Sequence, residues 1–336
     1  MAGGEFQQRF QRRWPRLRDP HARALAWLLD ASDLMAADAP CWEGRIATLG
    51  PVSAGVEAWV NRLQDDPQLN HLLRDHLARQ ASARLGRYAE KLLGFYLQQQ
   101  NQLVAANLQV RNGGPTRETL GEFDFLVRRP DVACAEGLEH WEFATKFYLL
   151  ETPSISPAGP GAEAFVGPNL ADSLGRKMRK IMERQLMLSR HPAAAAVLAQ
   201  PVTSARALVK GWLFYRDEAL PLPPSMGIAA GHCRGFWCEA QELAARVFPQ
   251  DARFVLLPRL EWLAPARVAL ARTLTWPELQ GELATRLALE AAPQMVAVCE
   301  ISEDGEEAIE TERGFIAPDG WRQRAAEAVR LAVQRV

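Results

Sequence analysis

Apolar residues recur at three- and four-residue spacing through Leu85, Tyr88, Ala89, Leu92, Leu93 and Tyr96, and this period predicts a strong helix over about 67–100. Gly86, Glu90 and Gly94 stand four apart beside the apolar stripe. Glu90 is thus flanked on its own ridge by residues without side chains, and another element can approach closely there. Leu103 to Val110 then reads as a strand, the cluster from Asn112 to Pro115 as a hairpin turn and Phe123 to Val127 as a second strand. After a loop to about 138, His140 to Leu150 reads as a third. Residues 151–169, rich in proline and glycine, predict a long loop of the kind that borders a site. Asp172 and Ser173 can cap a helix running to Arg190, with Leu174, Met178, Ile181 and Met182 on one side and Arg176, Lys177, Arg179, Lys180 and Arg184 largely elsewhere. Ala207 to Tyr215 reads as a buried strand. The predicted order is helix, strand, strand, strand, helix, strand.

Weaker patterns flank this run. Residues 20–36 and 53–64 predict short amphipathic helices. Beyond 225 the pattern predicts a helix near 239–247 and strands near 253–263 and 294–301. The chain divides on this reading into an N-terminal helical part (1–66), a core (67–217) and a C-terminal α+β accessory region (218–336) packed on the core.

Two of the core strands carry charge where a strand tolerates it least. Side chains alternate across a strand, so Glu122 and Asp124 share one face of the first, while Glu142, Ala144 and Lys146 share one face of the second. Phe123, Phe125, Trp141 and Phe143 occupy the opposite face and supply core packing. Burying carboxylates and an ammonium is costly unless they are paired or bound to metal, so their presence inside strands asks for a chemical reason. A bland arrangement also exists for each: an exposed edge face for Asp124 and Glu142, an ion pair between Lys146 and one of them, and a solvated helix position for Glu90.

Composition narrows the classes. At 336 residues the chain suits one large or two closely packed domains, and every apolar run is interrupted well before the length of a membrane span. No secretory signal follows the arginines at 9, 12, 13, 16 and 18, so a cytoplasmic protein is the expectation. The five cysteines are scattered and odd in number, which predicts free thiols, and His76, His191 and His232 lack partner spacing and read as structural. Net charge is close to balance, although positive charge gathers in the N-terminal arm and in 176–190, and residues 300–312 are acidic. Lysine is rare in an arginine-rich chain, so its retention mid-strand at 146 favours a role for a compact ammonium.

The helical Glu before the hairpin, the Asp of the second strand and the Glu and Lys of the third together resemble the PD-(D/E)XK nuclease superfamily over roughly residues 80–216. Gly121, Glu122, Phe123, Asp124, Phe125 and Leu126 look like the Gly-Glu-Ile-Asp-Leu-Ile segment of its resolvase-like and endonuclease-like members. Over the whole chain, including Trp141 and Glu142 through Lys146, Phe147, Tyr148 and Leu149, the likeness is to a bacterial domain-of-unknown-function family placed in that superfamily.

The resemblance implies an α/β fold with a restriction-endonuclease-like core, a mixed central sheet flanked by helices. It implies Asp124, Glu142, the Phe143 carbonyl and Glu90 as ligands of Mg²⁺ or Mn²⁺, and Lys146 as the site lysine. One departure stands out. The superfamily places its lysine two residues after the Glu, where this chain has Ala144, and Lys146 lies a further two residues, roughly 6–7 Å, along the strand. Lys177 or Lys180 could supply the charge instead, and Gln185 a polar contact. The basic residues Lys177, Lys180 and Arg184, with Gln185, are also candidates for phosphate contacts. The expected activity is metal-dependent hydrolysis of phosphodiester bonds in nucleic acid, DNA first. The alternative is an inactive nuclease-fold module that binds nucleic acid or a protein partner, the latter through the N-terminal arginines and the acidic segment.

Overall fold

A computed structural model describes residues 4–79, 82–113, 118–128, 137–152, 161–216 and 222–334. The tip of the predicted hairpin turn, most of the loop before the third strand with Cys134, and the middle of the 151–169 loop lie outside these residues.

Four helices come first: α1 (Glu5–Arg13), α2 (Pro20–Asp30), α3 (Ala54–Asp65) and α4 (Pro67–Ala78). Asp19 starts α2 by accepting the N–H groups of His21 and Ala22, and Pro20 supplies a first-turn residue that has no N–H to satisfy. The α2 helix ends at Asp30, short of the predicted 36, because Ala31 turns into extended backbone. The helix predicted as continuous over 67–100 is two, α4 and α5 (Leu85–Gln99), with Arg79 and Arg84 both extended. At 100° per residue, buried Leu69 and Leu73 of α4 and buried Leu85 and Ala89 of α5 would face opposite sides of one continuous helix, so the buried stripe changes side across the break.

The strands form one mixed sheet. Among the described residues its order is β1 (Leu103–Arg111), β2 (Thr119–Val127), β3 (Leu138–Leu150), β5 (Val202–Tyr215), β6 (Cys233–Glu239), β10 (Glu307–Ala317), β9 (Gln294–Ile301) and β7 (Arg253–Leu256). The short strands β4 (Phe165–Val166) and β8 (Arg267–Ala269) pair with β3 and β10. The centre, β3 through β5 and β6 to β10, is parallel, and both flanks are antiparallel. Helix α6 (Leu174–Lys180) connects β4 to β5, and α7 (Trp276–Leu289) and α8 (Trp321–Val333) complete the chain. The protein is an α/β fold with a large mixed sheet flanked by helices.

The core and the C-terminal region read from the sequence share this sheet. The C-terminal strands join it edge to edge at β5, where Trp212 to Tyr215 pair with Cys233 to Phe236. A single apolar cluster contains residues from all three regions, among them Trp212, whose ring stacks on Trp27 (6.4 Å between centroids) and meets the edge of Phe6 (5.5 Å). The acidic segment, predicted to face partners, runs from the end of β9 through a turn into β10, and its β10 charges are paired within the chain: Glu307 with Arg267 and Arg18, Glu310 with Arg313, Glu312 with Arg246. Of the N-terminal arginines, Arg9 and Arg13 likewise pair with Asp30 and Arg16 with Asp65.

Four cysteines are described, all unpaired, with Cys233, Cys238 and Cys299 buried. His232 is held between the Tyr215 hydroxyl (2.7 Å) and the Ala229 carbonyl (2.6 Å), a structural position. Among the described residues no helix is long and apolar enough to cross a membrane.

One close approach fixes the frame around the site. A Cβ at Gly211 would fall on the carbonyl oxygen of Lys146, its partner across the parallel β3–β5 ladder. Gly211→Ala must push the strands apart and is expected to cost about 1–3 kcal/mol. A urea midpoint unchanged from wild type would show that the strands can shift freely.

Candidate active site

Asp124 and Glu142 meet where β2 and β3 part. The β2–β3 ladder pairs Val127 with Glu139, Leu126 with His140 and Phe125 with Trp141. Its next step sets Asp124 opposite Glu142, and there the Asp124 side chain takes over, its Oδ2 accepting the Phe143 N–H at 2.9 Å. Below this point Phe125 and Phe143 pack with ring centroids 6.0 Å apart on the face that α5 covers. Gly94 permits that cover, since a Cβ there would lie 3.3 Å from the Phe125 ring. Gly86, by contrast, has open space around it and lines the cleft.

Glu142 is 2% exposed, so the edge-face arrangement does not hold for it. Its Oε1 accepts from Gln185 Nε2 and lies 3.7 Å from Lys177 Nζ, while its Oε2 is buried without a donor. Burial first, and then the neighbouring Asp124, push the Glu142 carboxyl up to about 8. Burial likewise raises the Asp124 carboxyl, which is near enough to share a hydrogen bond with Glu142. Two carboxyls so placed cannot both ionise cheaply, and the pair holds a proton in the absence of another cation.

The remaining predicted residues separate. Glu90 is not solvated. Its side chain is 12% exposed, bonded to Arg87 at 2.8 Å, and burial and Asp124 raise its carboxyl. Arg87 also bonds the Asn107 side chain and reaches Glu122 at 3.4 Å, so it closes one end of the site. Lys146 pairs with neither strand carboxylate. Its Nζ lies 3.0 Å from Asp172 Oδ2, which also accepts the Tyr148 hydroxyl at 3.1 Å. Asp172 is therefore occupied here, and Ser173 alone caps the helix through Oγ and the Arg176 N–H.

Beyond α6 the helix predicted to Arg190 changes pitch, widening to a π turn over Ile181–Gln185 and tightening to 3₁₀ over Leu186–Arg190. Such turns recur at functional sites, and this one presents Gln185 to Glu142. Of the basic residues on this segment, Lys177 points at the carboxylates, and Lys180 and Arg184 are exposed.

These groups line a cleft of about 880 Å³. Glu142 to Tyr148 run along it, Arg84 comes from just before α5, Arg87 and Glu90 from α5 itself, and Gly167 to Asp172 from the loop after β4. A wall that the sequence reading missed comes from the C-terminal region: Arg259, Trp262, Ala292 and Pro293. No local signal could have found it, because only the sheet brings those residues to β3. Arg87 carried a weak signal, standing one turn before Glu90.

Among the described residues no group of three or more His, Cys, Asp or Glu is gathered to hold a metal ion. The strand junction gathers two carboxylates, hard oxygen donors, with one Glu142 oxygen buried and unsatisfied. A small divalent cation that keeps several waters and completes its shell with phosphate oxygens fits such a set.

No curated protein and no solved structure matches the chain. A family model does, over residues 23–317, and the chain belongs to that family, Domain of unknown function (DUF1853).

Proposed function

We propose that this protein is a metal-dependent nuclease with a PD-(D/E)XK-type core, hydrolysing phosphodiester bonds of nucleic acid, DNA first. The observation that carries the reading is the pair of half-buried Asp124 and buried Glu142, side by side on a cleft that also holds Lys177, Arg84, Arg87 and Arg259. The element order α5, β1, β2, β3, α6, β5 supports it, with β4 as a short addition. Asp124, Glu142 and the Phe143 carbonyl would hold Mg²⁺ or Mn²⁺, with Glu90 able to join once Arg87 turns to a phosphate. The cation, when bound, lowers the pKa of water and offsets the charge of the phosphate. The chain's own residues hold the carboxylates apart from bulk water and present cations to the phosphate backbone.

The test is cleavage of labelled linear, single-stranded and branched DNA with Mg²⁺, Mn²⁺ or EDTA, comparing wild type with folded Asp124→Ala protein. Metal-dependent cutting lost in the variant is the expected result. No cutting by wild type, with salt-sensitive DNA binding retained, would move the assignment to a binding module built on the same fold. The observation favouring that second reading is the engagement of Lys146 by Asp172.

A further inference from the structure

We propose that Lys177, rather than Lys146, is the ammonium group that acts on the scissile phosphate, and that Gln185 is the residue that positions it. The inference rests on the nuclease reading and adds a residue to it.

Lys146 is in the wrong place. It stands four residues beyond Glu142 on the same strand, roughly 13 Å along it. Its ammonium is held there by Asp172, which the Tyr148 hydroxyl holds in turn. Lys177 comes from the other side of the cleft. Its Nζ is 3.7 Å from Glu142 Oε1, and its side chain is 15% exposed against 2% for Glu142. Gln185 joins the two, accepting from Lys177 Nζ at 3.1 Å and donating to Glu142. Eight residues of regular α-helix would separate these two positions by about 12 Å along the axis. The π turn over 181–185 intervenes, and the two long side chains converge on one carboxylate.

Position 144 explains why the charge comes from α6. Ala144 is 6% exposed and lines the cleft, so β3 presents only a methyl group beside Glu142. In the reaction a water oxygen adds to phosphorus. The bond from phosphorus to one ester oxygen breaks with its electron pair on that oxygen, and a proton from the water ends on it, giving a phosphomonoester and an alcohol. The Lys177 ammonium donates a hydrogen bond to the phosphate as negative charge builds there.

The experiment compares Lys177→Ala, Lys146→Ala and the double variant Lys177→Ala with Ala144→Lys, each shown by circular dichroism to be folded. Two quantities are read: cutting of DNA with Mn²⁺, and Mn²⁺ affinity without DNA by electron paramagnetic resonance. Lys177→Ala is expected to lower kcat by about 10²–10³-fold. It should also tighten Mn²⁺ binding by at least about threefold, because a like charge has left the site. Damage to the fold would weaken Mn²⁺ binding instead. Lys146→Ala should leave kcat within about threefold of wild type, and Ala144→Lys should restore at least about a tenth of the cutting lost. A larger loss from Lys146→Ala than from Lys177→Ala overturns the proposal, as does a Lys177→Ala protein that cuts like wild type. Wild type that never cuts refutes the nuclease reading, and with it the action on phosphate. The Mn²⁺ arm then still reports whether Lys177 is the charge at the carboxylates.

Discussion

Glu142→Gln is expected to abolish metal-dependent cleavage and, in the same protein, to raise stability at pH 8. The two effects share one cause. Glu142 is buried beside Asp124, which moves its carboxyl from the ordinary 4.5 to about 8. Between those values the folded chain keeps a proton that the unfolded chain has released. The stability associated with this group is therefore full below about pH 4.5 and is lost as the pH rises through about 8. Gln has no proton to lose, can still meet the Gln185 amide, and keeps the shape of the site. Without divalent cation the variant should be more stable than wild type by about 1–2 kcal/mol at pH 8, well below the full linkage value because Lys177 loses its partner.

Near pH 5 the difference should vanish. Thermal unfolding in EDTA at the two pH values measures it, and a difference independent of pH would mean that the carboxyl is not held protonated. Cleavage should fall by at least about 10³-fold, since a neutral amide neither offsets a cation's charge nor holds it in place. A Glu142→Gln enzyme that cuts near the wild-type rate would remove this carboxylate from the chemistry. Activity lost with stability gained is a signature that a misfolded variant cannot produce.

How far the site was legible follows from where its signals lie along the chain. Asp124 and Glu142 declared themselves because each is a charge on an alternating strand, a pattern confined to a few residues. Their meeting at the β2–β3 junction follows from the antiparallel register. The lysine was legible only as a type. Period two places Lys146 on the face of Glu142, but its partner Asp172 is 26 positions away and enters through a loop, so sequence spacing could not exclude Lys146. The same holds for the fold. Strand β9 (Gln294–Ile301) is legible at its observed bounds because residues 295–299 form an unbroken apolar run. Strand β10, adjoining it, was hidden by Glu307, Glu310 and Glu312, each of which pairs with an arginine distant in sequence or, at Glu310, one buried beside it. Acidic residues predict an exposed face unless their partners are known, and only the folded sheet supplies the partners.

The pair hidden in that strand carries the second large expectation, that Arg313→Ala unfolds or nearly unfolds the protein, at a cost of about 3–5 kcal/mol. Both side chains of the Arg313–Glu310 pair are fully buried. Arg313 Nε donates to Glu310 Oε1 at 2.6 Å and Nη2 to Oε2 at 2.8 Å. The remaining donors bind the Ala264 carbonyl (2.7 Å) and the Trp262 carbonyl, and Glu310 Oε2 also accepts the Ala266 N–H at 2.7 Å. The guanidinium lies 4.3 Å from the centroid of the fully buried Trp212 ring. Removing Arg313 leaves Glu310 charged and dry, along with two carbonyls that had donors. Removing both charges together leaves less behind, so Arg313→Met with Glu310→Leu should cost clearly less than the sum of the single changes.

Urea unfolding of the three variants measures the difference, and additive costs would mean that the ions act independently. The same network fixes the backbone of 262–266, which carries Trp262 into the cleft. A double variant that remains folded should therefore keep its Mn²⁺ affinity, which depends on Asp124 and Glu142, while binding DNA more weakly through a loosened far wall. Equal weakening of both would show that the C-terminal strands support the carboxylate junction itself and not the wall alone.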